Sequence, residues 1–257
     1  MRWLAMSLTA LFMAASACAQ PALDGKLPCE MPSEYITPAF PLPAVAAALA
    51  ASRPVEILAL GSGSTVGETG GTTGRAFAGK TPGASFPFRM AEALRALRPD
   101  ARFNLTVAGG RNMTADDMLT ILRQHLTERH FDLLLWQTGT VEAVRGIRPE
   151  MLHDVLEQGI DAAIEKRTDV VLVDPQFSRF LRANIDVDPY EWVLQQTADH
   201  AGIGLFQRLG LTQTWVNSGE VDLERASRDQ RDKTVALLNA CLGQAIARYV
   251  FAGAAAP

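Results

Sequence analysis

The residues best placed for chemistry are Gly61-Ser62-Gly63-Ser64-Thr65-Val66-Gly67, which follow directly on the apolar run Val55–Leu60. Two hydroxyls, Ser62 and Ser64, stand in a glycine-rich turn. A serine hydroxyl becomes a useful nucleophile only when a positioned base takes its proton. A Ser–Lys pair can do this, and Lys233 is the candidate partner, provided that burial favours its neutral amine. Read as a phosphate cradle, the loop fails. It lacks the Lys of G-x-x-x-x-G-K-[ST], and Val66 stands at the third glycine of G-x-G-x-x-G, so a nucleotide site is not expected.

Other reactive side chains are dispersed. His125, His130, His153 and His200 show no metal-ligand spacing, so neither a metal nor a cofactor is expected. Glu142 sits near the end of a strand, where a lone carboxylate is expected to be solvated. Glu68, Asp116 and Asp117 are most simply surface or helix-start carboxylates. Trp136 and Trp215 are expected in the core or a pocket wall. Asn104-Leu105-Thr106 matches a glycosylation pattern but falls within a strand candidate, which makes the match accidental.

The elements that must position these residues alternate regularly. Val55–Leu60, Arg102–Val107, Asp132–Trp136, Asp169–Val173 and Ile203–Phe206 are short apolar runs stopped by Gly, Pro or polar residues, as buried parallel strands are. Between them lie helices over Phe88–Leu97, 114–127, Glu150–Lys166 and Tyr190–Ala201, and a last helix over Gln230–Val250 with Val235, Leu238, Leu242, Ile246 and Tyr249 on its buried face. Ser227-Arg228-Asp229-Gln230 fits the capping box that starts a helix. A helix around Ala44–Ala51 precedes the first strand. Strands alternating with helices predict an α/β fold with a parallel sheet covered on both faces. In such sheets ligands bind beyond the carboxyl ends of the strands, so the loops after the first three strands are where function is sought.

The chain has 257 residues, 48% apolar and 20% charged, with a net charge of −4. No basic stripe is present, and nucleic acid is not an expected partner. Arg2 and the apolar run Trp3–Ala15 lead into Ala17-Cys18-Ala19, the pattern of a signal peptide cleaved before Gln20. The mature chain is then expected to be exported, periplasmic or extracellular, without a transmembrane helix. Lipoprotein processing at Cys18 is the alternative, with Ala15 where a Leu is usual. The expected layout is a signal peptide over 1–19, a Pro/Ala-rich lead-in over 20–54, one domain over 55–250 and a tail over 251–257. Two cysteines remain after cleavage, Cys29 and Cys241. An oxidising exterior permits a bridge between them, and two buried thiols are the other possibility.

Taken together, several short motifs resemble the SGNH (GDSL) hydrolases, in particular an exported subgroup, over nearly the whole mature chain. Gly61–Gly67 is similar to the block G-D-S-x-T-x-G. Gly109-Gly110 is similar to the block that donates a backbone N–H to an oxyanion, with Gly110 at the functional glycine. Trp136-Gln137-Thr138-Gly139-Thr140-Val141-Glu142 resembles the G-x-N-D block in a W-Q-x-G-T-N form. Asp174-Pro175-Gln176-Phe177, Gly204-Leu205-Phe206-Gln207-Arg208, Trp215 and Ala240-Cys241-Leu242 are similar to the subgroup.

The resemblance implies a three-layer, flavodoxin-like α/β/α fold with a five-stranded parallel sheet, and ester hydrolysis by a Ser-His-Asp triad. The residues that should perform it are replaced. Gly63 stands at the nucleophile and Ser62 at the Asp before it. Val141 stands at the Asn that completes the oxyanion hole, Gln230 at the acid and Lys233 at the histidine. No histidine occurs after His200. The expectation is therefore a non-catalytic protein of the cell envelope. Gly61, Ser62, Ser64, Gly110 and Thr140 are its candidate ligand-binding residues, and a small-molecule or glycan ester, or an envelope partner protein, its expected partner. The alternatives are an active esterase or carbohydrate deacetylase using Ser64 or Ser62 with Lys233, and a structural envelope protein.

Overall fold

In a computed structural model, residues 27–67 and 84–255 are described. The expected signal peptide, Cys18 and Glu68 lie outside these residues. The described chain runs α1 (Ser33–Ile36), α2 (Pro43–Ala50), β1 (Val55–Gly61), α3 (Gly63–Val66), α4 (Phe86–Leu97), β2 (Phe103–Gly109), α5 (Ala115–Glu128), β3 (Leu133–Gln137) and α6 (Thr140–Arg145). It continues through α7 (Pro149–Glu165), β4 (Asp169–Val173), α8 (Arg179–Asn184), α9 (Asp188–Ala201), β5 (Gly204–Phe206), α10 (Arg208–Ser218) and α11 (Arg231–Ala255). The five strands form one parallel sheet in the order β2-β1-β3-β4-β5. Chain order reverses between β1 and β3, which places the ligand crevice of this topology at their carboxyl ends.

The central strands β1, β3 and β4 are buried on both faces, β2 at the sheet edge is mostly half-buried, and the period of two sorts side chains into two cores. Ile57, Ala59, Leu133, Leu135, Val171 and Val173 pack with α2, α4, α10 and α11. Leu58, Leu60, Leu134, Trp136, Val170 and Leu172 pack with α5, α7 and α9. Both tryptophans named from the sequence are fully buried. Trp136 Nε1 donates to Met118 Sδ at 3.3 Å, and Trp215 Nε1 donates to the Glu30 carbonyl at 2.6 Å.

The lead-in is an integral part of the first core. Leu42, Val45 and Ala48 are buried there, the Leu42 N–H donates to the Gly253 carbonyl at 2.9 Å, and Cys29 and Cys241 form a disulfide with a Cα–Cα distance of 6.0 Å. Arg53 holds Asp132 at the start of β3 through Nη1 and Nη2, at 2.9 and 2.6 Å. Burial penalises the Asp132 charge, but hydrogen bonds from Arg53, the Glu56 N–H and His130 outweigh it and hold this carboxyl below the usual range.

Several sequence-based boundaries move. The last helix runs to Ala255, so most of the expected tail continues it, because Val250 and Gly253 are still packed against the core. That helix starts at Arg231, and Ser227–Gln230 form a preceding turn in which the Gln230 N–H donates to the Ser227 carbonyl at 3.0 Å. Ser227 is therefore not its cap: the Gln230 carbonyl accepts the first helical bond, from Thr234. Val235 is only partly buried. Among the described residues, α11 is the one helix long and apolar enough to cross a membrane by length and composition, and much of its surface is buried against the fold. The short helices α1, α3, α6, α8 and α10 were not expected from the periodicity.

Candidate functional site

The loops after the strands meet at the carboxyl end of the sheet, and the first of them is tied down by β3. The Gln137 side chain, buried at the end of that strand, accepts three hydrogen bonds through Oε1. They come from the Ser62 N–H at 3.1 Å, the Ser62 hydroxyl at 2.9 Å and the Thr65 hydroxyl at 3.1 Å. Ser85 at the foot of α4 donates its hydroxyl to the Thr65 carbonyl at 2.7 Å. Gly63 and Ser64, half-buried, form the first turn of α3 above this network.

Ser64 has a different neighbour. Arg208, at the start of α10, is 2% exposed, and its Nη1 donates to Ser64 Oγ at 3.3 Å. The guanidinium carbon lies 5.7 Å from the centroid of the Phe86 ring, in cation–π range. Arg208 Nε is buried without a hydrogen-bond partner. Asp174, at the end of β4, completes this corner: its Oδ1 accepts from the Leu209 N–H at 2.8 Å and so caps α10 from another part of the chain. Burial pushes the Asp174 carboxyl up to about 8, against the opposing pull of the Leu209 N–H and the Arg208 guanidinium. Burial likewise drives the Arg208 guanidinium down to about 10, with Asp174 resisting.

The expected ligand-binding glycine is used differently. Gly109 has φ +113°, and a Cβ there would lie 2.0 Å from the Gly61 carbonyl oxygen. This close approach is open only to glycine, and it lets the Gly110 N–H donate to that carbonyl at 3.2 Å. The N–H that the resemblance assigns to an oxyanion is thus bonded within the fold.

Glu142 also departs from expectation. It is 1% exposed, because α6 starts immediately after β3 and turns the side chain inward. Its carboxylate accepts from the Ala115 N–H, from the Gly139 N–H at 2.9 Å and from the Thr138 hydroxyl at 3.2 Å. It joins the starts of α5 and α6, and is not a solvated acid.

The remaining sequence candidates fall as follows. Gly61 ends β1, where an added Cβ would meet Thr65 Oγ1 at 2.2 Å. Thr140 opens α6, and its Oγ1 is buried without a partner. Val141 is half-buried on the same helix. Gln230 and Lys233 are both exposed, so the burial that a Ser–Lys pair needs is not met at Lys233. No group of three or more His, Cys, Asp or Glu able to hold a metal occurs among the described residues. Arg208 and Gln137, which organise the corner, were not singled out as functional residues. Cavities of about 320 and 170 Å³ lie between α8 and α9 and beside Tyr35 and Phe40, and neither is lined by Gly63, Ser64, Gly110 or Arg208.

What the corner can do chemically follows from its partners. The Ser62 proton points at an amide oxygen, which is not a base of useful strength. Ser64 accepts from a guanidinium, which has only donors to offer. Among the described residues, neither hydroxyl is hydrogen-bonded to a group suited to taking its proton.

Comparison with known proteins accords with this architecture. A two-domain esterase active on acetylated mannans superposes with a TM-score of 0.61 at 13% identity, covering 85% of this chain and 55% of that one. A mutant of Axe2, an acetyl-xylooligosaccharide esterase from Geobacillus, gives 0.54 at 13% identity, covering 71% and 91%. AlinE4, an SGNH-hydrolase family esterase, gives 0.52 at 18%, covering 68% and 86%. At these identities the likeness is one of fold. No curated protein matches the sequence. Residues 28–256 match the non-GDSL lipase-like family, and with its flavodoxin-like strand order and its SGNH/GDSL fold the chain belongs to that family.

Proposed function

We propose that this chain is an exported, non-catalytic member of its family that binds an ester or glycan ligand, or a partner, at the carboxyl ends of its strands. One observation carries the reading: the two serine hydroxyls flanking Gly63 are hydrogen-bonded to groups unsuited to taking their protons, Ser62 to Gln137 Oε1 and Ser64 to Arg208 Nη1. Gly63 offers no nucleophile at the position that corresponds to the serine of the SGNH hydrolases, and no histidine follows His200. Loss of triad members removes most of the rate such a site supplies, of order 10⁴-fold or more. The disulfide between Cys29 and Cys241 supports an oxidising compartment, and with it the signal peptide over 1–19.

The test is reaction of the purified protein with a fluorophosphonate serine probe, alongside melting curves with acetylated xylan and mannan oligosaccharides. No labelling and a saturable shift support the binder. A second reading, an esterase or carbohydrate deacetylase using Ser64 or Ser62 with Lys233, is favoured by the acetyl-ester activities named for its structural neighbours. Labelling that disappears in Ser64→Ala or Ser62→Ala establishes it. Failure of both assays leaves a structural envelope protein.

A further inference from the structure

We infer that the cavity between the lead-in and the last strand of the sheet binds a small alkylammonium cation. This site lies apart from the corner around Ser64, none of whose residues lines it.

β5 ends the sheet and pairs only with β4. Beside it lies a cavity of about 170 Å³, bounded by Glu34, Tyr35 and Phe40 of the lead-in, by Gln195 and Asp199 of α9, and by Gln207 after β5. At roughly 30 Å³ per water molecule, this space takes a head group of a few heavy atoms. It is smaller than the roughly 300 Å³ or more of a pocket that takes a whole drug-sized ligand.

The walls are what select the guest. Two aromatic residues, Tyr35 and Phe40, both half-buried, line this one small space. The Tyr35 ring is held there by α10: a Cβ at Gly210 would lie 2.8 Å from Tyr35 Cε1, so the bare glycine lets ring and helix lie in contact. The lining also includes two carboxylates, Glu34 and Asp199, and no Lys, Arg or His. Among the described residues neither carboxylate forms an ion pair. The one side-chain bond either makes is at Asp199 Oδ1, which accepts from Gln195 Nε2 at 3.0 Å.

An exposed carboxylate alone attracts a cation weakly. A concave wall focuses the field of two of them. Aromatic rings add an attraction that an uncharged guest of the same shape does not feel. A neutral sugar could hydrogen-bond to the amides and acids, but it brings no charge to meet the two that line the cavity. An alkylammonium group meets both the charge and the rings.

The experiment titrates choline, tetramethylammonium, butylammonium, the uncharged carbon isostere of choline and glucose into the full-length mature protein at constant ionic strength. Calorimetry gives the affinity, and the Gln207 side-chain amide resonance, assigned through its loss in Gln207→Met, reports the place. At least one of the cations should bind saturably and shift that resonance, about tenfold or more tightly than the isostere. Asp199→Asn should weaken this binding about threefold or more, and Phe40→Leu, which keeps an apolar side chain and removes the ring, by a similar factor. Asp199 is exposed, so its variant keeps the test decisive where Phe40→Leu disturbs the fold. Cosedimentation with phosphatidylcholine vesicles, lost in Asp199→Asn, would make the cation a lipid head group, and binding of the free cations alone makes it a soluble one. Glucose or the isostere binding as tightly as the cations overturns the inference. So does cation binding indifferent to both substitutions, or no saturable binding at all. The ligand reading of the loops after β1 and β3 stands or falls separately, on the acetylated oligosaccharides.

Discussion

The Ser62 hydroxyl donates to Gln137 Oε1 at 2.9 Å, so the serine adjoining the expected nucleophile position is held by an amide from the neighbouring strand. Restoring a hydroxyl at Gly63 does not restore a base. Gly63→Ser is accordingly expected to remain unlabelled by a fluorophosphonate probe and to hydrolyse p-nitrophenyl acetate no faster than the parent protein. A gain of about 10²-fold or more would reveal a base that the hydrogen bonds do not show.

A pH dependence follows from Asp174. Its folded value is raised from 3.8 to about 8 by burial. Between these values the folded protein holds a proton that the unfolded chain has released. This contribution is fully present below about pH 4 and is lost as pH rises to about 8. Asp174→Asn keeps an oxygen for the Leu209 N–H and cannot ionise. The variant should melt close to the parent near pH 4 and above it at pH 8, by an amount on the order of a few kcal/mol in stability. Parallel curves for the two proteins across that range would contradict this assignment.

The Cys29–Cys241 bridge spans 212 residues. In the chain-entropy description, closing a loop of that length stabilises the fold by about 5 kcal/mol. Cys241→Ser should lower the urea midpoint to match the reduced parent, with reductant then having no further effect. Limited proteolysis should cut the lead-in of the variant before it cuts the sheet domain.

Gly159 in α7 packs directly on Trp136. A Cβ there would lie 2.4 Å from Cζ3 of the indole and 2.6 Å from Cη2. The ring belongs to a central strand and cannot give way cheaply. Gly159→Ala should destabilise the protein by about 1–3 kcal/mol despite its better helix propensity, readable as a fall in the denaturation midpoint. An unchanged midpoint would show that α7 shifts freely.

The sheet and its long helices are legible in the sequence because apolar runs such as Asp169–Val173 and stripes such as Met118, Leu122 and Leu126 carry their own periodicity. The short helices at the site are not, and the reason is specific. Some of their starts are satisfied by side chains far away in the chain. Asp174 takes the Leu209 N–H of α10, and Glu224 takes the Arg179 and Phe180 N–H groups of α8. Such caps leave no local signature of the kind by which a helix start is recognised. The same holds for Glu142, whose inward turn depends on α5 offering the Ala115 N–H. Gly63, Val141, Gln230 and Lys233 can be identified from motif order alone. The Arg208–Ser64 contact joins positions 144 residues apart, and no spacing rule links them.

The disulfide also bears on the order in which the molecule is made. Synthesis runs from the amino end, so Cys29 emerges long before the residue it joins. Between Cys29 and Cys241 the chain contains no other cysteine, so within that span there is no thiol with which a wrong intrachain pair can form. Trp215 and Gly253, which hold the lead-in at Glu30 and Leu42, come late as well. The segment around Cys29 and Glu30 therefore finds its partners only once the last part of the chain has been made, and the covalent lock can close only after Cys241 is in place.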